Sequence, residues 1–483
     1  MRDHTKFLKE ASFVDGRWIP AHNGEVQEVV NPATLKVLGT VPHCGREETS
    51  QAIEAAHTTL PSWSSKTAKE RASYLHRLAN LIEEHTEALS HLLTLEQGKP
   101  IAEARGEVGM SAAYVRWFAE EAQRVYGDVI PSPWKGRKIL VTKQAIGVVG
   151  AITPWNFPSS MIARKLAPAL ATGCTIVIKP ATQTPYSGLA WGVLVELAGI
   201  PSGVVNIVTG SPPEIGATLT SDPRVKKITF TGSTPIGKLL AEQSAKTLKK
   251  VSMELGGNAP FIVFDDADVH RAVEGAIAAK FRNSGQTCVC TNRFLVQSGI
   301  HDVFVQKLSD AVAGLKVGNG LEAGVAQGPL IDGKAVAKIE EHIADAVSKG
   351  ARVCVGGNRH ALGGTFFEPT IIENVRPDAL VASDETFGPL APIFRFETEA
   401  DAVRLANDTE YGLASYLYTQ DLGRAFRMSD ALEYGMVGIN EGIITTEVAP
   451  FGGLKESGIG KEGSKYGIED YLAVKYVCLG GLA

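Results

Sequence analysis

The stretch Asn283-Ser-Gly-Gln-Thr-Cys288-Val-Cys290 places a thiol directly after small and polar residues, outside any apolar repeat. A cysteine in such a loop can act as a covalent nucleophile. A lone cysteine is more often a small buried hydrophobic residue, so this motif alone leaves both interpretations open. The spacing of Cys288 and Cys290 also suggests a metal site, but no further Cys or His pair stands at ligand spacing, so we predict none.

A carboxylate and an amide stand at comparable points of the chain. Glu254 closes an apolar run just before Gly256-Gly257, and Asn156 follows Trp155 after an earlier run. A carboxylate in a crevice can act as a general base, and a buried amide can donate to an oxyanion. A glutamate in a loop is more commonly a solvated surface residue, which is the alternative for Glu254.

The segment from Gly232 to Lys238 has two glycines five residues apart before a lysine, as in a phosphate-binding P-loop. The next residue is Leu239, where a P-loop needs Ser or Thr to hold magnesium, and Pro235 interrupts the loop. An NTPase is therefore disfavoured. What remains is a helix N-terminus after a strand, which suits a pyrophosphate, or else a plain turn between strand and helix.

Short apolar runs alternate with helical segments from Ala145 onward, which predicts βαβ units and a parallel sheet. The runs are Val148-Val-Gly-Ala-Ile, Thr175-Ile-Val-Ile, Val204-Val-Asn-Ile-Val, Lys227-Ile-Thr-Phe and Val251-Ser-Met. A polar or glycine-rich loop follows each run. Because ligands of open parallel sheets bind outside the carboxyl ends of the strands, we expect these loops to form one cofactor crevice.

Other parts of the chain predict further elements. Phe13-Val-Asp-Gly-Arg-Trp is typical of a hairpin, and residues 66–94 have a helical period. A second βα series begins at Pro260 and indicates a separate domain. Near the end, residues 472–478 alternate like a strand, and such a strand could pair with another subunit.

Composition excludes several classes of protein. The 483 residues carry 48 basic and 53 acidic side chains, and the net charge of -5 provides no long-range attraction for nucleic acid or an anionic membrane. The first residues contain no apolar targeting segment, and no apolar run approaches the length of a membrane span. Six scattered cysteines fit a reducing compartment, so we expect a cytoplasmic protein.

Together these segments resemble the aldehyde dehydrogenase superfamily. Met253-Glu-Leu-Gly-Gly-Asn and Gly285-Gln-Thr-Cys resemble its paired active-site signatures. Supporting matches, all in the family's order, are Thr153-Pro-Trp-Asn-Phe-Pro, Lys179-Pro-Ala, Phe230-Thr-Gly-Ser, Glu385-Thr-Phe-Gly-Pro and Pro450-Phe-Gly-Gly. These motifs span nearly the whole chain, so the resemblance is specific.

The resemblance implies an α/β fold with two doubly wound parallel-sheet domains and a small bridging β region used in oligomerisation. We expect a discontinuous dinucleotide-binding domain at 1–122 and 145–255, and a catalytic domain at 256–440. The bridging region would be 123–144 with 465–483, and 441–464 would form a substrate-site loop. A homo-oligomer, either a dimer or a tetramer, is the implied assembly.

The resemblance also implies the chemistry. Cys288 would attack the aldehyde, Asn156 and the Cys288 backbone N–H would hold the oxyanion, and Glu254 would activate water. We expect the apolar neighbour Leu255 to raise the pKa of the Glu254 carboxyl group. The cofactor, NADP⁺ or NAD⁺, would contact a set of residues in the crevice loops: Thr153, Pro154, Trp155, Lys179, Ala181, Thr182, Gly232, Ser233, Glu385 and Phe387. Because Thr182 carries no charge, we expect NADP⁺ to be accepted at least as well as NAD⁺.

The flanking residues resemble those of succinate-semialdehyde dehydrogenases, in which two arginines and a hydroxyl hold the distal carboxylate of the substrate. The matching positions are Arg164, Arg282 and Thr445. At the position of Thr445 the family commonly has serine. Two arginine forks would select an ω-carboxylated aldehyde. The rivals are glutarate semialdehyde, neutral aldehydes and a catalytically silent fold used for binding. Cys290 is a candidate redox partner of Cys288.

Overall fold

A computed structural model describes residues 4–482 of the chain. Met1, Arg2, Asp3 and Ala483, at the outer ends of two expected domains, lie outside the described residues. The α-helices, in chain order α1 to α14, are Arg46–Ser64, Ala68–Glu84, Thr86–Gln97, Ile101–Glu121, Ser160–Thr172, Pro185–Leu197, Pro212–Ser221, Thr234–Ala245, Val269–Lys280, His301–Ala313, Gly333–Ser348, Leu380–Ser383, Glu399–Asn407 and Leu422–Ala431. Short 3-10 helices lie at Thr5–Phe7, Ala122–Arg124, Arg282–Gly285 and Glu469–Tyr471.

The β-strands belong to three main sheets and two short ribbons. In chain order β1 to β22 they are Ser12–Val14, Arg17–Ile19, Val26–Val30, Val37–Pro42, Asp128–Ile130, Lys138–Ala145, Val148–Ile152, Thr175–Lys179, Val205–Ile207, Val225–Thr231, Lys250–Glu254, Ala259–Val263, Thr291–Gln297, Arg352–Val355, Thr370–Glu373, Leu390–Phe396, Tyr411–Gly412, Ala414–Tyr418, Met436–Ile439, Leu454–Lys455, Gly458–Ile459 and Leu472–Leu479.

The first sheet has the strand order β2-β1-β9-β8-β7-β10-β11-β21. Its five central strands are parallel, and each of the five predicted apolar runs forms one of them. The chain builds outward from β7 through β8 and β9, and then returns to the other side of β7 as β10. That reversal opens a crevice at the carboxyl ends of β7 and β10, where a ligand of a doubly wound sheet binds.

The predicted hairpin supports one edge of this sheet. Strands β1 and β2 are antiparallel, and Asp15 and Gly16 between them adopt left-handed φ values of 53° and 68°. Two successive left-handed residues form the tight turn whose twist matches paired strands, which explains the Asp-Gly sequence. Phe13 of β1 then pairs with Ile207 of β9.

The second sheet has the order β14-β15-β16-β13-β12-β18-β19, parallel except for β14. Its first strand, β12, begins five residues after Glu254, and the segment between α9 and β13 carries Cys288. The two parallel sheets therefore confirm the predicted fold class. Glu254 thus ends strand β11 of the first sheet, and Cys288 precedes strand β13 of the second sheet.

A third, antiparallel sheet has the order β22-β6-β5 and includes strands from both expected bridging segments. Strand β22 pairs with β6 along its whole length, from Leu472 opposite Ala145 to Leu479 opposite Lys138. Part of the expected substrate-site loop is also a strand, because β21 pairs with Met253 and Glu254 of the first sheet. This pairing ties the loop directly to the end of β11.

The helical period over 66–94 belongs to two helices. Helix α2 begins after Thr67, whose side chain accepts a hydrogen bond from Glu70 N in a capping box, and a break at His85 separates it from α3. Both helices bury their apolar sides in the core beneath the first sheet. Among the described residues, no helix is long and apolar enough to cross a membrane.

Candidate active site

The nucleophile loop has a constrained backbone. Asn283 and Ser284 adopt left-handed φ values of 51° and 56°, and Gly285 follows at 74°. Such values are rare for residues with a Cβ and persist only where the surroundings hold them. At Gly285 a Cβ would lie 2.1 Å from the carbonyl oxygen of Gly388, so only glycine fits. The loop therefore presents Cys288 in one defined position.

Buried hydrogen bonds hold this backbone in place. Asn283 Nδ2 donates to the carbonyl oxygen of Asn156 at 2.9 Å, while Gln97 Nε2 donates to Asn283 Oδ1 at 3.0 Å. Ser284 Oγ donates to the Gly328 carbonyl at 3.0 Å. Because these partners lie in three distant parts of the chain, the loop is preorganised by the tertiary structure.

The thiol of Cys288 faces a cavity of about 240 Å³. Burial is the main cause that raises the pKa of the Cys288 thiol to about 12, and the charge of Glu385 is the next. The charge of Arg164 opposes this shift and favours the thiolate. Asn156, which is 3% exposed, donates from Nδ2 to the Gln286 carbonyl at 3.1 Å. An amide nitrogen carries two hydrogens, so the second is available for an oxyanion beside Cys288.

The cavity brings together all three predicted substrate residues. Arg164, Arg282 and Thr445 line it with Cys288, although they come from parts of the chain up to 281 residues apart. Its apolar wall is formed by Met110, Phe157, Met161, Val289 and Phe451. Such a pocket fits a short aliphatic molecule with an anionic end and a reactive end.

Arg164 is the strongest indication of an anionic ligand. Its side chain is 3% exposed, and neither Nε nor Nη1 has a hydrogen-bond partner. The guanidinium lies over the rings of Tyr114 and Phe451, at 4.9 Å and 4.2 Å from their centroids. A buried charged donor without a hydrogen-bond partner is costly, so this guanidinium is suited to donate hydrogen bonds to a carboxylate. Arg282 lies 5.7 Å from the centroid of Phe157.

Glu254 ends β11 and is 3% exposed, with both carboxylate oxygens free of hydrogen bonds. Burial and the nearby charge of Glu462 hold its pKa well above the usual range, while Lys165 and Arg164 oppose this shift. The direction agrees with the prediction, but the cause differs. The expected cause was the apolar neighbour Leu255, whereas in the structure the shift comes from burial of the whole carboxylate and from a second carboxylate.

The cofactor side of the crevice carries a cation beside a hydroxyl. Lys179 Nζ, at the end of β8, donates to the Pro180 carbonyl at 3.0 Å and lies 3.5 Å from Thr182 Oγ1. Burial lowers the pKa of Lys179 to about 8, so an anion placed here would stabilise its charged form. The half-buried Ala181 and Thr182 follow the strand. This group of residues therefore fits a phosphorylated ribose.

The predicted pyrophosphate segment follows β10. Helix α8 begins at Thr234 after Ser233, whose side chain makes no capping hydrogen bond. Gly232 lies against the ring of Phe230, and a Cβ there would fall 2.4 Å from it. On the neighbouring strand end, Thr153 Oγ1 is buried without a partner and Pro154 is half-buried beside it. Free helix N–H groups and an unpartnered hydroxyl fit a dinucleotide.

Glu385 and Phe387 close the crevice from the second domain. Glu385 Oε1 accepts from Gly257 N at 3.2 Å, and burial raises its pKa to about 7. Phe387 has a φ of 53°, and its ring meets Trp155 edge-on at 5.5 Å between centroids. These rings come from different sheets and meet where the nicotinamide is expected.

Cys290 is placed differently from Cys288. Its thiol is 3% exposed and donates to the Lys280 carbonyl at 2.9 Å. All six cysteines are free. The redox role of Cys290 stays a prediction.

Sequence reasoning missed Glu103, which lines the cavity, and two buried ion pairs around the site. Lys99 and Glu107 form a buried ion pair with Nζ and Oε2 2.6 Å apart. Lys165 and Glu462 form a second buried ion pair. A signal for Lys165 was present, because it stands beside Arg164 in the otherwise apolar helix α5, whose residues are all buried. The other four carry no local signal.

Comparisons with known proteins agree with this geometry. The sequence model of the aldehyde dehydrogenase family matches residues 18–477. A glutarate-semialdehyde dehydrogenase of Pseudomonas aeruginosa is 62% identical over 99% of both chains. A 3-sulfolactaldehyde dehydrogenase of Pseudomonas putida is 60% identical over 98% of both chains, and an NADP⁺ succinate-semialdehyde dehydrogenase of Escherichia coli is 59% identical over 99% of both.

Among solved structures, that of an NADP-dependent enzyme of Escherichia coli superposes with a TM-score of 0.98. It is 59% identical, and the match covers 99% of each chain. The fold agrees from end to end.

Proposed function

Because this chain belongs to the aldehyde dehydrogenase family, we propose that it oxidises succinate semialdehyde, or a close dicarboxylic semialdehyde, to the dicarboxylate. NADP⁺ or NAD⁺ is the oxidant. The observation that carries the proposal is the buried, unpartnered guanidinium of Arg164 in the cavity of Cys288. A neutral aldehyde would leave the Arg164 donors without an anionic acceptor, whereas an ω-carboxylate would accept hydrogen bonds from this guanidinium.

The first step joins Cys288 to the substrate. The Cys288 thiol loses its proton to solvent, and Arg164 favours the resulting thiolate. The thiolate attacks the aldehyde carbon, a C–S bond forms, and the carbonyl oxygen becomes an oxyanion. The Asn156 amide and the Cys288 backbone N–H stabilise that charge. Arg164 and Arg282 hold the distal carboxylate, so the reacting carbon lies beside the sulfur before the bond forms.

The cofactor residues hold the oxidant at the same point. When bound, the nicotinamide cofactor supplies the hydride acceptor that lets the tetrahedral adduct become a thioester. Lys179 and Thr182 would bind the adenosine ribose end of the cofactor, and Gly232 and Ser233 would hold its pyrophosphate. Trp155 and Phe387 form an aromatic wall at the reactive end.

Glu254 completes the reaction. As a general base it takes a proton from water as the water oxygen attacks the thioester; the C–S bond breaks, and the carboxylic acid and the Cys288 thiolate are released. Burial without hydrogen-bond partners keeps its basicity high, as a base in this role requires.

Other anionic aldehydes are the alternative substrates within the family. The names of the relatives cover succinate, glutarate and sulfolactaldehyde enzymes, whose substrates all carry an anionic group. The same arginines would serve a chain one methylene longer. A silent binding fold is disfavoured, because Cys288, Glu254 and Asn156 are all present.

The assembly and location are also proposals. Val129, Val474 and Tyr476 of the third sheet are exposed at 75%, 68% and 59%. Strand β22 is an edge strand, so a second copy could cover this apolar surface and form a homo-oligomer. Six free cysteines support a reducing, cytoplasmic location.

The test compares kcat/KM for succinate semialdehyde, glutarate semialdehyde and propanal, each with NADP⁺ and NAD⁺. We expect both acids to exceed propanal by about tenfold or more, since a charge-assisted pair contributes about 1.5–3 kcal/mol. Cys288→Ala should abolish oxidation of all three while cofactor binding persists. Equal turnover of propanal would refute the semialdehyde assignment, and an active Cys288→Ala variant would refute the mechanism.

A further inference from the structure

Beneath the cavity lies a buried ion pair to which the mechanism assigns no role. Lys99 and Glu107 are joined by a hydrogen bond of 2.6 Å from Nζ to Oε2, and both side chains are fully buried. A buried pair of this kind is often no more stable than apolar residues of the same volume. Fold stability alone is therefore a weak reason for this pair.

Lys99 acts on the oxyanion side of the site. Its Nζ donates to the carbonyl oxygen of Asn156 at 2.7 Å and lies 3.7 Å from the centroid of the Phe157 ring. Asn283 Nδ2 donates to the same carbonyl. The backbone of the oxyanion donor is thus held by a cation on one side and by the nucleophile loop on the other.

Glu107 acts on the carboxylate side. Its second oxygen, Oε1, accepts from the backbone N–H groups of Ser159 and Ser160, at 2.8 Å and 3.2 Å. These groups begin helix α5, which carries Arg164 one turn further on. A carboxylate at a helix N-terminus also matches the helix dipole. Glu107 therefore holds the helix that presents the substrate-binding guanidinium.

The pair also contributes to the charge of the cavity, which Glu103 lines as well. Glu107 lines the same cavity as Arg164 and Arg282. Its negative charge would repel an anionic substrate, but the ammonium of Lys99 compensates it at 2.6 Å. Removing only the lysine would leave a bare carboxylate beside the substrate.

From this geometry we propose that Lys99 and Glu107 are positioning residues that hold the oxyanion donor and the carboxylate-binding helix in one fixed register. The charge compensation keeps the cavity open to anions. The second part rests on the proposed function, whereas the first applies to any aldehyde. The ion pair thus links the two ends of the substrate through a single buried contact.

The experiment uses the full-length enzyme and the variants Lys99→Met and Lys99→Met/Glu107→Gln. The control is Arg105→Ala, which lies on helix α4 with Glu107 and removes an exposed ion pair with Glu87. Two readouts are made: kcat and KM for succinate semialdehyde and propanal, and the rates at which iodoacetate and iodoacetamide alkylate Cys288. The second readout needs no turnover, and only iodoacetate carries a charge.

For Lys99→Met we expect kcat to fall about tenfold or more with both aldehydes, because misplacing an oxyanion donor by about 1 Å has that scale of effect. The ratio of iodoacetate to iodoacetamide rates should fall several-fold, and KM should rise only for the semialdehyde. In the double variant the ratio and KM should recover while kcat stays low. The control should match wild type.

Melting temperature and cofactor binding report whether each variant folds. If Lys99→Met does not fold, Lys99→Arg replaces it. Arginine keeps the positive charge, so the alkylation ratio should stay as in wild type. Its guanidinium is wider than an ammonium group and should displace the Asn156 carbonyl, so kcat should still fall. A kcat within twofold of wild type in the folded lysine variant would overturn the proposal, as would an unchanged alkylation ratio in Lys99→Met. Wild type could turn over propanal as well as the acids while the Lys99 variant loses propanal turnover. That result would refute the semialdehyde as substrate and support the positioning role.

Discussion

Arg164 Nη1 lies 3.8 Å from Glu462 Oε2, while the other oxygen of Glu462 binds Lys165. The glutamate is thus shared, and its main hydrogen bond goes to the lysine. Neither Nε nor Nη1 of Arg164 makes a hydrogen bond, and the residue lines the cavity. Glu462 holds Arg164 in place without neutralising the donors that a substrate would use.

Replacing Arg164 by methionine should therefore affect acids selectively. Methionine keeps apolar contact with Phe451 and Tyr114 but removes the charge. We expect KM for succinate semialdehyde to rise about tenfold to a hundredfold, the scale of a lost hydrogen bond to a charged group. The KM for propanal should change by less than about threefold, because propanal has no charge to pair with Arg164. The value of kcat should fall with both aldehydes, since Arg164 also favours the Cys288 thiolate. An equal rise in KM for both substrates would show that Arg164 acts only on structure, and Arg105→Ala serves as control.

Glu254→Gln should separate the two halves of the reaction. Hydride transfer does not need this base, so reduced cofactor should appear in a rapid burst, followed by turnover slowed by about a hundredfold or more. Stopped-flow absorbance at the nicotinamide band measures both phases. A variant with no burst and a normal steady-state rate would remove Glu254 from the mechanism.

The pH profile of the same base has a defined sign. A raised carboxyl pKa means that Glu254 is protonated at low pH and becomes an active base as pH rises, so kcat should increase with pH. Glu462→Gln removes a nearby negative charge, which lowers the pKa of Glu254 and moves this increase to lower pH. Glu254→Gln should abolish the increase. A Glu462→Gln profile displaced to higher pH would contradict this account.

Cofactor preference should depend on Thr182. With Lys179 Nζ 3.5 Å from its hydroxyl, this position offers a cation and a donor to a 2′-phosphate. Thr182→Glu would place a carboxylate there and should lower the ratio of kcat/KM for NADP⁺ to NAD⁺ by about a hundredfold, since opposed like charges cost several kcal/mol. Gln183→Glu, at the exposed next residue, is the control. A ratio that is unchanged in Thr182→Glu would show that residue 182 does not contact the phosphate.

Peroxide should inactivate the enzyme reversibly if Cys288 and Cys290 form a disulfide. Cys290 must first leave its contact with the Lys280 carbonyl, so we expect slow closure, seen by mass spectrometry as the loss of two hydrogens. In Cys290→Ala, peroxide should carry Cys288 on to acids that dithiothreitol does not reduce. Equal recovery of both proteins with dithiothreitol would exclude the disulfide.

Much of the fold followed from local patterns. Runs such as Thr175–Lys179 are short, apolar and bounded by polar turns, so they form strands whatever they pack against. The turn at Asp15-Gly16 is equally local. The short motifs made Cys288 and Glu254 candidates but left their roles open; the resemblance that spans the chain predicted those roles and the roles of the two arginines.

The tertiary structure decided which distant side chains meet. No local pattern places Glu462 near Glu254, or Lys99 under Asn156, because these contacts arise where separate sheets and helices pack together. For the same reason the pKa of Glu254 depends on complete burial and a remote carboxylate, and not on Leu255 beside it. Sequence alone determined which groups could react. Packing determined their protonation, their orientation and the charge of the cavity that they share, since desolvation and Coulomb interactions depend on distance in space and not along the chain.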